Sequence, residues 1–142
     1  KVIDIELTSA ELLALNAAPI TLIAAPGEDK AIVILGVMAD KPAGTAYAAV
    51  DVADDLLLKY TNASGAVLTH VETTGFMDQA TRQQRYLFPS VLATNAAAGI
   101  FAITPVENAA IVAHMNNGEI TTGNTKLFMR IFYRVVPMNL SE

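Results

Sequence analysis

The sequence predicts an all-β domain of the sandwich or barrel type, and three observations carry that prediction. The segment Lys126–Val136 (KLFMRIFYRVV) places Leu127, Met129, Ile131, Tyr133 and Val135 on one face of an extended chain, and Lys126, Phe128, Arg130, Phe132, Arg134 and Val136 on the other. A period of two in a β-branched and aromatic segment is a strand with an apolar inner face. The segment Lys30–Ala39 (KAIVILGVMA) has no polar residue between its ends and the length of a strand. It predicts a strand buried on both faces or a core strand of a sandwich. Turn chemistry then recurs along the chain at Pro26-Gly27-Glu28-Asp29, Asn62-Ala63-Ser64-Gly65, Asn116-Asn117-Gly118 and Thr122-Gly123-Asn124. Asn and Gly tolerate positive φ, so these stretches punctuate about seven or eight short strands, which is the spacing of a sandwich or barrel.

Taken in order, Lys1–Leu7 alternates Val2, Asp4 and Glu6 with Ile3, Ile5 and Leu7 and reads as a short strand. Thr8-Ser9-Ala10-Glu11 has the form of a capping box, a hydroxyl at the N-cap with Glu three residues later, and it starts a turn of helix over Ala10–Leu15 that ends before Pro19. Ile20–Ala24 is a strand, and with the turn at 26–29 and Lys30–Ala39 it forms the first hairpin candidate. Asp40–Gly44 is a loop, Tyr47–Val50 a weak strand and Asp51–Asp55 an acidic connection. Leu56–Tyr60 and Ala66–Val71 flank the turn at 62–65 and form a second hairpin. Thr73–Ser90 is the most polar stretch, expected as a short helix near Gly75–Ala80 followed by irregular chain up to Pro89. Asn95–Ala102, heavy in alanine, is a loop entering a strand at Ile100–Ile103. Ala109–His114 is a strand, Met115–Thr125 a glycine-punctuated loop, Lys126–Val136 the closing strand and residues 137–142 a tail. The expectation is one domain over 1–142, with residues 1–18 supplying an N-terminal strand and short helix.

Composition narrows the function classes. Hydrophobic residues make up 53% of the 142-residue chain and charged residues 16%, against about 25% charged in an ordinary domain. The surface is therefore apolar or covered by partners. A net charge of −5 with 9 Lys and Arg lacks the basic footprint of a nucleic-acid binder. The absence of cysteine excludes disulfides, thiolate catalysis and Cys-based zinc sites. No apolar run approaches the roughly 20 residues of a membrane-spanning helix, and no basic segment leads into an apolar core as in a signal peptide.

No residue pattern assembles a reaction. His70 and His114 lie far apart, and His70-Val71-Glu72 puts two ligands on one strand face with no third, so an ordinary half-exposed histidine is the reading. Asp51, Asp54 and Asp55 lack the spacing of a calcium loop and read as a solvated connection. Ser9, Ser64, Ser90 and Ser141 sit in caps, turns or the tail, outside any G-x-S-x-G elbow. Asn62-Ala63-Ser64 matches a glycosylation sequon and is read as a turn, and Pro26-Gly27 is no phosphate loop. The expectation is no catalytic residue, no metal and no cofactor. Arg82 and Arg85 with Tyr86 and Phe88 form a protein-contact segment, because Arg and Tyr are enriched in interface hot spots. Phe128, Arg130, Phe132 and Arg134 form a second one, since an outer strand face that alternates cations with rings calls for cover from another element or another chain. The competing reading of Arg82–Phe88 is an exposed loop whose apolar residues tuck into their own domain.

Three blocks, Pro19–Gly27 (PITLIAAPG), Lys30–Leu35 (KAIVIL) and Arg130–Val136 (RIFYRVV), together with Leu56–Tyr60 (LLLKY), resemble small β-sandwich virion proteins of tailed bacteriophages. The resemblance runs from Pro19 to Val136, and its motifs are strand and turn patterns rather than catalytic signatures. It implies an all-β, jelly-roll-like β-sandwich with one or two short helical turns. It also implies a non-enzymatic capsid cement or decoration protein that binds the major capsid protein on the outside of the virion and stabilises contacts between capsomers. On that reading the protein is made in the host cytoplasm, self-associates as a homotrimer, and contacts neither nucleic acid nor membrane. The alternative within the same setting is a receptor- or carbohydrate-binding module of a tail fibre or baseplate, which the low aromatic content of 6% and the absence of Trp disfavour. Thr73–Asn95 matches nothing in the resemblance.

Overall fold

The computed structural model describes residues 1–50, 55–89 and 103–139. Its strands are β1 (Val2–Leu7), β2 (Ile20–Ile23), β3 (Lys30–Lys41), β4 (Tyr47–Ala48), β5 (Asp55–Tyr60), β6 (Val67–Glu72), β7 (Gln83–Leu87), β8 (Ile111–Met115), β9 (Thr121–Thr122) and β10 (Leu127–Pro137), with one helix, α1 (Ser9–Ala14). Eight of the strands make two antiparallel sheets ordered β1-β10-β3-β7 and β2-β8-β5-β6, and β4 pairs with β9 in a short ribbon. Successive long strands alternate between the two sheets, and only the β5–β6 hairpin stays within one. Two four-stranded antiparallel sheets wound in this way are a jelly roll.

The first hairpin candidate is not formed. β2 pairs with β8 and β3 with β10 and β7, so the turn at Pro26–Asp29 joins opposite sheets. The turn residues do what they are suited for, with Gly27 at φ 97 and Asp29 at φ 56. A tight turn signal fixes chain reversal, whereas pairing depends on what each strand buries, and both strands here bury apolar residues between the sheets. The helix near Gly75–Ala80 is also absent. Thr73 accepts from the amides of Phe76 and Met77, but Gly75 stands at φ 75 and its amide is taken by the Asp78 carboxylate, so the turn does not propagate. The irregular chain expected after it is instead β7, an edge strand paired residue for residue with Val37–Lys41. β3 continues two residues past Ala39 into the expected loop, and the loop before β10 contains β9. Ile103 packs on the core outside any strand, while the rest of the strand expected at 100–103, the alanine-rich loop before it, and Asp51, Asp54, Ser90 and Ser141 lie outside the described residues. The capping box is present as expected: the Thr8 hydroxyl accepts from the Glu11 amide and the Glu11 carboxylate accepts from the Thr8 amide.

The core lies between the sheets and is built from Leu7, Ile32, Ile34, Val37, Leu56, Leu58, Tyr60, Leu68, Ile111, Ala113, Leu127, Met129 and Ile131 among others. Each fully buried aliphatic side chain contributes about 1.5–3 kcal/mol of transfer free energy. Tyr60 hydroxyl donates across the core to the Ile32 carbonyl, tying the sheets together. β3 carries a bulge at Leu35: Phe132 stands opposite Gly36 and Tyr133 opposite Ile34. One extra residue reverses the in–out parity. Val37 and Ala39 therefore face the core on one side of the bulge and Ile32 and Ile34 on the other. That is why an uninterrupted apolar run serves a strand with only one core face. β3 is not buried on both faces, since Leu35 and Met38 are about half exposed.

Candidate interaction surface

The outer face of the β1-β10-β3-β7 sheet is open to solvent among the described residues. Strand pairing sets side chains across it in rows. One row is Asp4, Arg130, Met38 and Tyr86, and the next is Glu6, Phe128, Asp40 and Gln84. A third begins Val2, Phe132 and Gly36. Large apolar residues stand exposed here, from 40% at Phe128 and 46% at Met38 to 51% at Tyr86 and 65% at Phe88. Tyr86 and Phe88 meet edge to face with ring centroids 4.9 Å apart. Gly36 supplies the bed for Tyr86, because a Cβ at that position would lie 2.7 Å from the tyrosine hydroxyl. A depression of about 430 Å³ opens between Asp4, Met38, Asp40, Gln84, Phe128 and Arg130.

Charge on this face is neutralised within the chain. Arg130 grips Asp4 with two bonds of 2.6 and 2.7 Å, Arg82 grips Asp40 at 2.8 and 2.5 Å, and Lys126 reaches Glu6 at 2.5 Å. The Arg130 hydrogen bond holds the Asp4 carboxyl below its usual range, and the Arg82 hydrogen bond does the same for Asp40. Such exposed pairs add little to stability. Their effect is to fix the orientation of the Arg130 and Arg82 guanidinium groups, each of which bonds both oxygens of its carboxylate.

The contact residues expected from the sequence divide on this geometry. Tyr86, Phe128, Arg130 and Phe132 share the open face, Arg82 joins them through Asp40, and Phe88 joins through Tyr86. Arg134 is exposed farther along β10, beyond the bulge. Arg85 turns the other way: its guanidinium donates to the Gly75 carbonyl and sits 5.3 Å over the Phe76 ring, clamping the turn at 73–78. The sequence reading missed Met38, Gly36, Val2, Asp4, Glu6 and Asp40. The alternation of Val2, Asp4 and Glu6 in β1 was a usable signal for three of them. Met38 had none, because the bulge that turns it outward leaves no trace in an all-apolar run.

No group of three or more His, Asp or Glu that could hold a metal occurs among the described residues. His70 and His114 sit on β6 and β8 at either side of Leu57. His114 is buried, with Lys59 Nζ donating to its Nδ1 at 3.2 Å and to the Ala63 carbonyl at 2.7 Å. An ammonium has only donors, so Nδ1 accepts from Lys59 and the neutral ring carries its proton on Nε2. Burial first and the Lys59 charge second push the His114 pKa down, and burial lowers that of Lys59. No described helix is long and apolar enough to cross a membrane.

No family model and no curated protein matches the chain. Among solved structures it is similar to one described as the cyanophage Pam1 capsid asymmetric unit, at 14% identity and a TM-score of 0.48, over 93% of this chain and 80% of that one.

Proposed function

We propose that this chain is a non-enzymatic structural protein of a tailed-phage virion, seated on the outside of the capsid. There it binds the major capsid protein through the open face of the first sheet and stabilises contacts between capsomers, with copies of the chain grouped in threes. The observation that carries the reading is that face itself. It exposes Met38, Tyr86, Phe88 and Phe128 together, and it neutralises its own charges beside them. Aromatic and Met anchors edged by arginines are the composition of an interface centre with its polar rim. The resemblance of the sequence blocks to those of phage virion proteins supports the setting, and the low charged fraction suits a chain that spends its working life partly covered.

The test replaces Tyr86, Phe88 and Phe128 with Ala together. All three are exposed, so the fold should survive, which circular dichroism would check. Occupancy on heads stripped of wild type should fall about 30-fold, the equivalent of one hot spot of ~2 kcal/mol. Wild-type occupancy by the folded triple variant would remove this face from the interface. Co-purification with tails rather than heads would move the protein to the receptor-binding reading.

A further inference from the structure

The two edges of the open sheet are β1 and β7, and their outward residues, Val2, Asp4 and Glu6 on one and Gln84 and Tyr86 on the other, are exposed. Among the described residues β1 pairs only with β10 and β7 only with β3. An exposed edge is a template for another strand, and proteins restrict what it accepts by placing charge on it. Here the charges differ in sign. β1 presents Asp4 and Glu6, whereas β7 is preceded by Arg82 on the same outer face. Pairing β1 with its own copy would set like charges together across the junction, which destabilises a strand pair. Pairing β7 of one copy with β1 of the next sets unlike charges together.

We infer that β7 of one copy adds to β1 of a second copy, carrying the antiparallel sheet from subunit to subunit. Four alternating strands leave the two edges antiparallel to each other, so a copy placed head to tail continues the alternation. The strands match in length, six residues in β1 and five in β7. One register satisfies every outward pair at once. Tyr86 falls opposite Val2, Gln84 opposite Asp4 and Arg82 opposite Glu6, giving an apolar, a hydrogen-bonding and an ionic pair. Sliding by two residues puts Tyr86 opposite Asp4 and leaves Arg82 opposite Thr8. A head-to-tail contact joins different patches, so it builds a ring of three or more copies where the rotation closes, or a filament where it does not, rather than a two-fold dimer. The inference rests on the assembly reading above, and it specifies which surfaces meet.

The absence of cysteine from the sequence makes the test direct. Val2→Cys and Tyr86→Cys are both surface changes, and partners across a strand pair lie within disulfide reach. Under mild oxidation the double variant should form covalent ladders beyond the dimer, while each single variant stays monomeric on a non-reducing gel. Covalent dimers from either single variant would overturn the inference in favour of a two-fold contact. No ladder from the double variant, or a monomeric mass for the wild type at high concentration, would overturn it outright. Independently, Glu6→Lys should weaken assembly several-fold, and Arg82→Glu added to it should restore assembly. No effect of the first change would also overturn it. Head occupancy by a monomer would leave the capsid reading standing without this contact, and a ring that ignores heads would do the reverse.

Discussion

Across the middle of the first sheet run Asp4, Arg130, Met38 and Tyr86, and across the middle of the second run His114, Leu57 and His70. Each row points away from the core, since the neighbours on either side of Leu57 and His114 are core residues. The first row is exposed. In the second, Leu57 is 1% exposed and His114 8%, with Val112 and Lys59 beside them at 3% and 7%. The second sheet is thus buried on both faces through β5 and β8, whereas the first keeps one face for solvent or a partner. An apolar chain has distributed its burial unequally: one sheet is committed to the fold, and the other holds apolar area in reserve. Charges follow the same division. On the open face they pair with each other at the surface, while on the closed one Lys59 and His114 are held by neutral partners inside.

Matched substitutions on the two outer faces would break this comparison most directly. Leu57→Ala should cost about 2–5 kcal/mol, the range for emptying a buried leucine site. Met38→Ala on the open face should cost less than about 0.5 kcal/mol, as for surface changes generally. Urea unfolding of the pair measures both, and equal costs would mean that the first sheet is covered in solution. Next in size is Lys59→Met, which removes the donor to the part-buried Ala63 carbonyl and leaves His114 Nδ1 as a buried acceptor without it. We expect a loss of about 1–3 kcal/mol, read from the same curves.

Acid should discriminate the two faces as well. The folded pKa of His114 is depressed, so below about 6.5 the unfolded chain takes up a proton that the folded chain resists. The unfolded state then binds more protons, and stability falls as pH drops from there toward the depressed folded value. Melting temperature against pH should show this decline, and His114→Gln should flatten it. The pairs at Asp4 and Asp40 add stability only above the carboxylate range and lose it as pH falls below 3.8 through their lowered values. Arg130→Ala and Arg82→Ala should be close to neutral for stability, and what effect they have should fade in salt. A larger loss from either would mean that these pairs hold the sheet rather than dress a contact face.

Local chemistry made much of this legible. Alternation in Lys126–Val136 placed Leu127, Met129 and Ile131 inward and Phe128 and Arg130 outward, because a strand offers only two faces. Thr8 and Glu11 announced the start of α1, because the capping box is closed within four residues. The turn at Asn62–Gly65 announced the β5–β6 hairpin, where Gly65 passes so close to the Tyr60 carbonyl that a Cβ would lie 1.6 Å from it. What the sequence did not determine is which strands pair, since partners such as β3 and β7 are distant along the chain and their choice depends on the burial of both. Gln83–Leu87 carries no apolar alternation and becomes a strand only because β3 offers it an edge. Met38 faces solvent only because a bulge at Leu35 reverses parity. The element types follow from short-range sterics and hydrogen bonding, whereas the open face exists only where four separate strands are brought side by side.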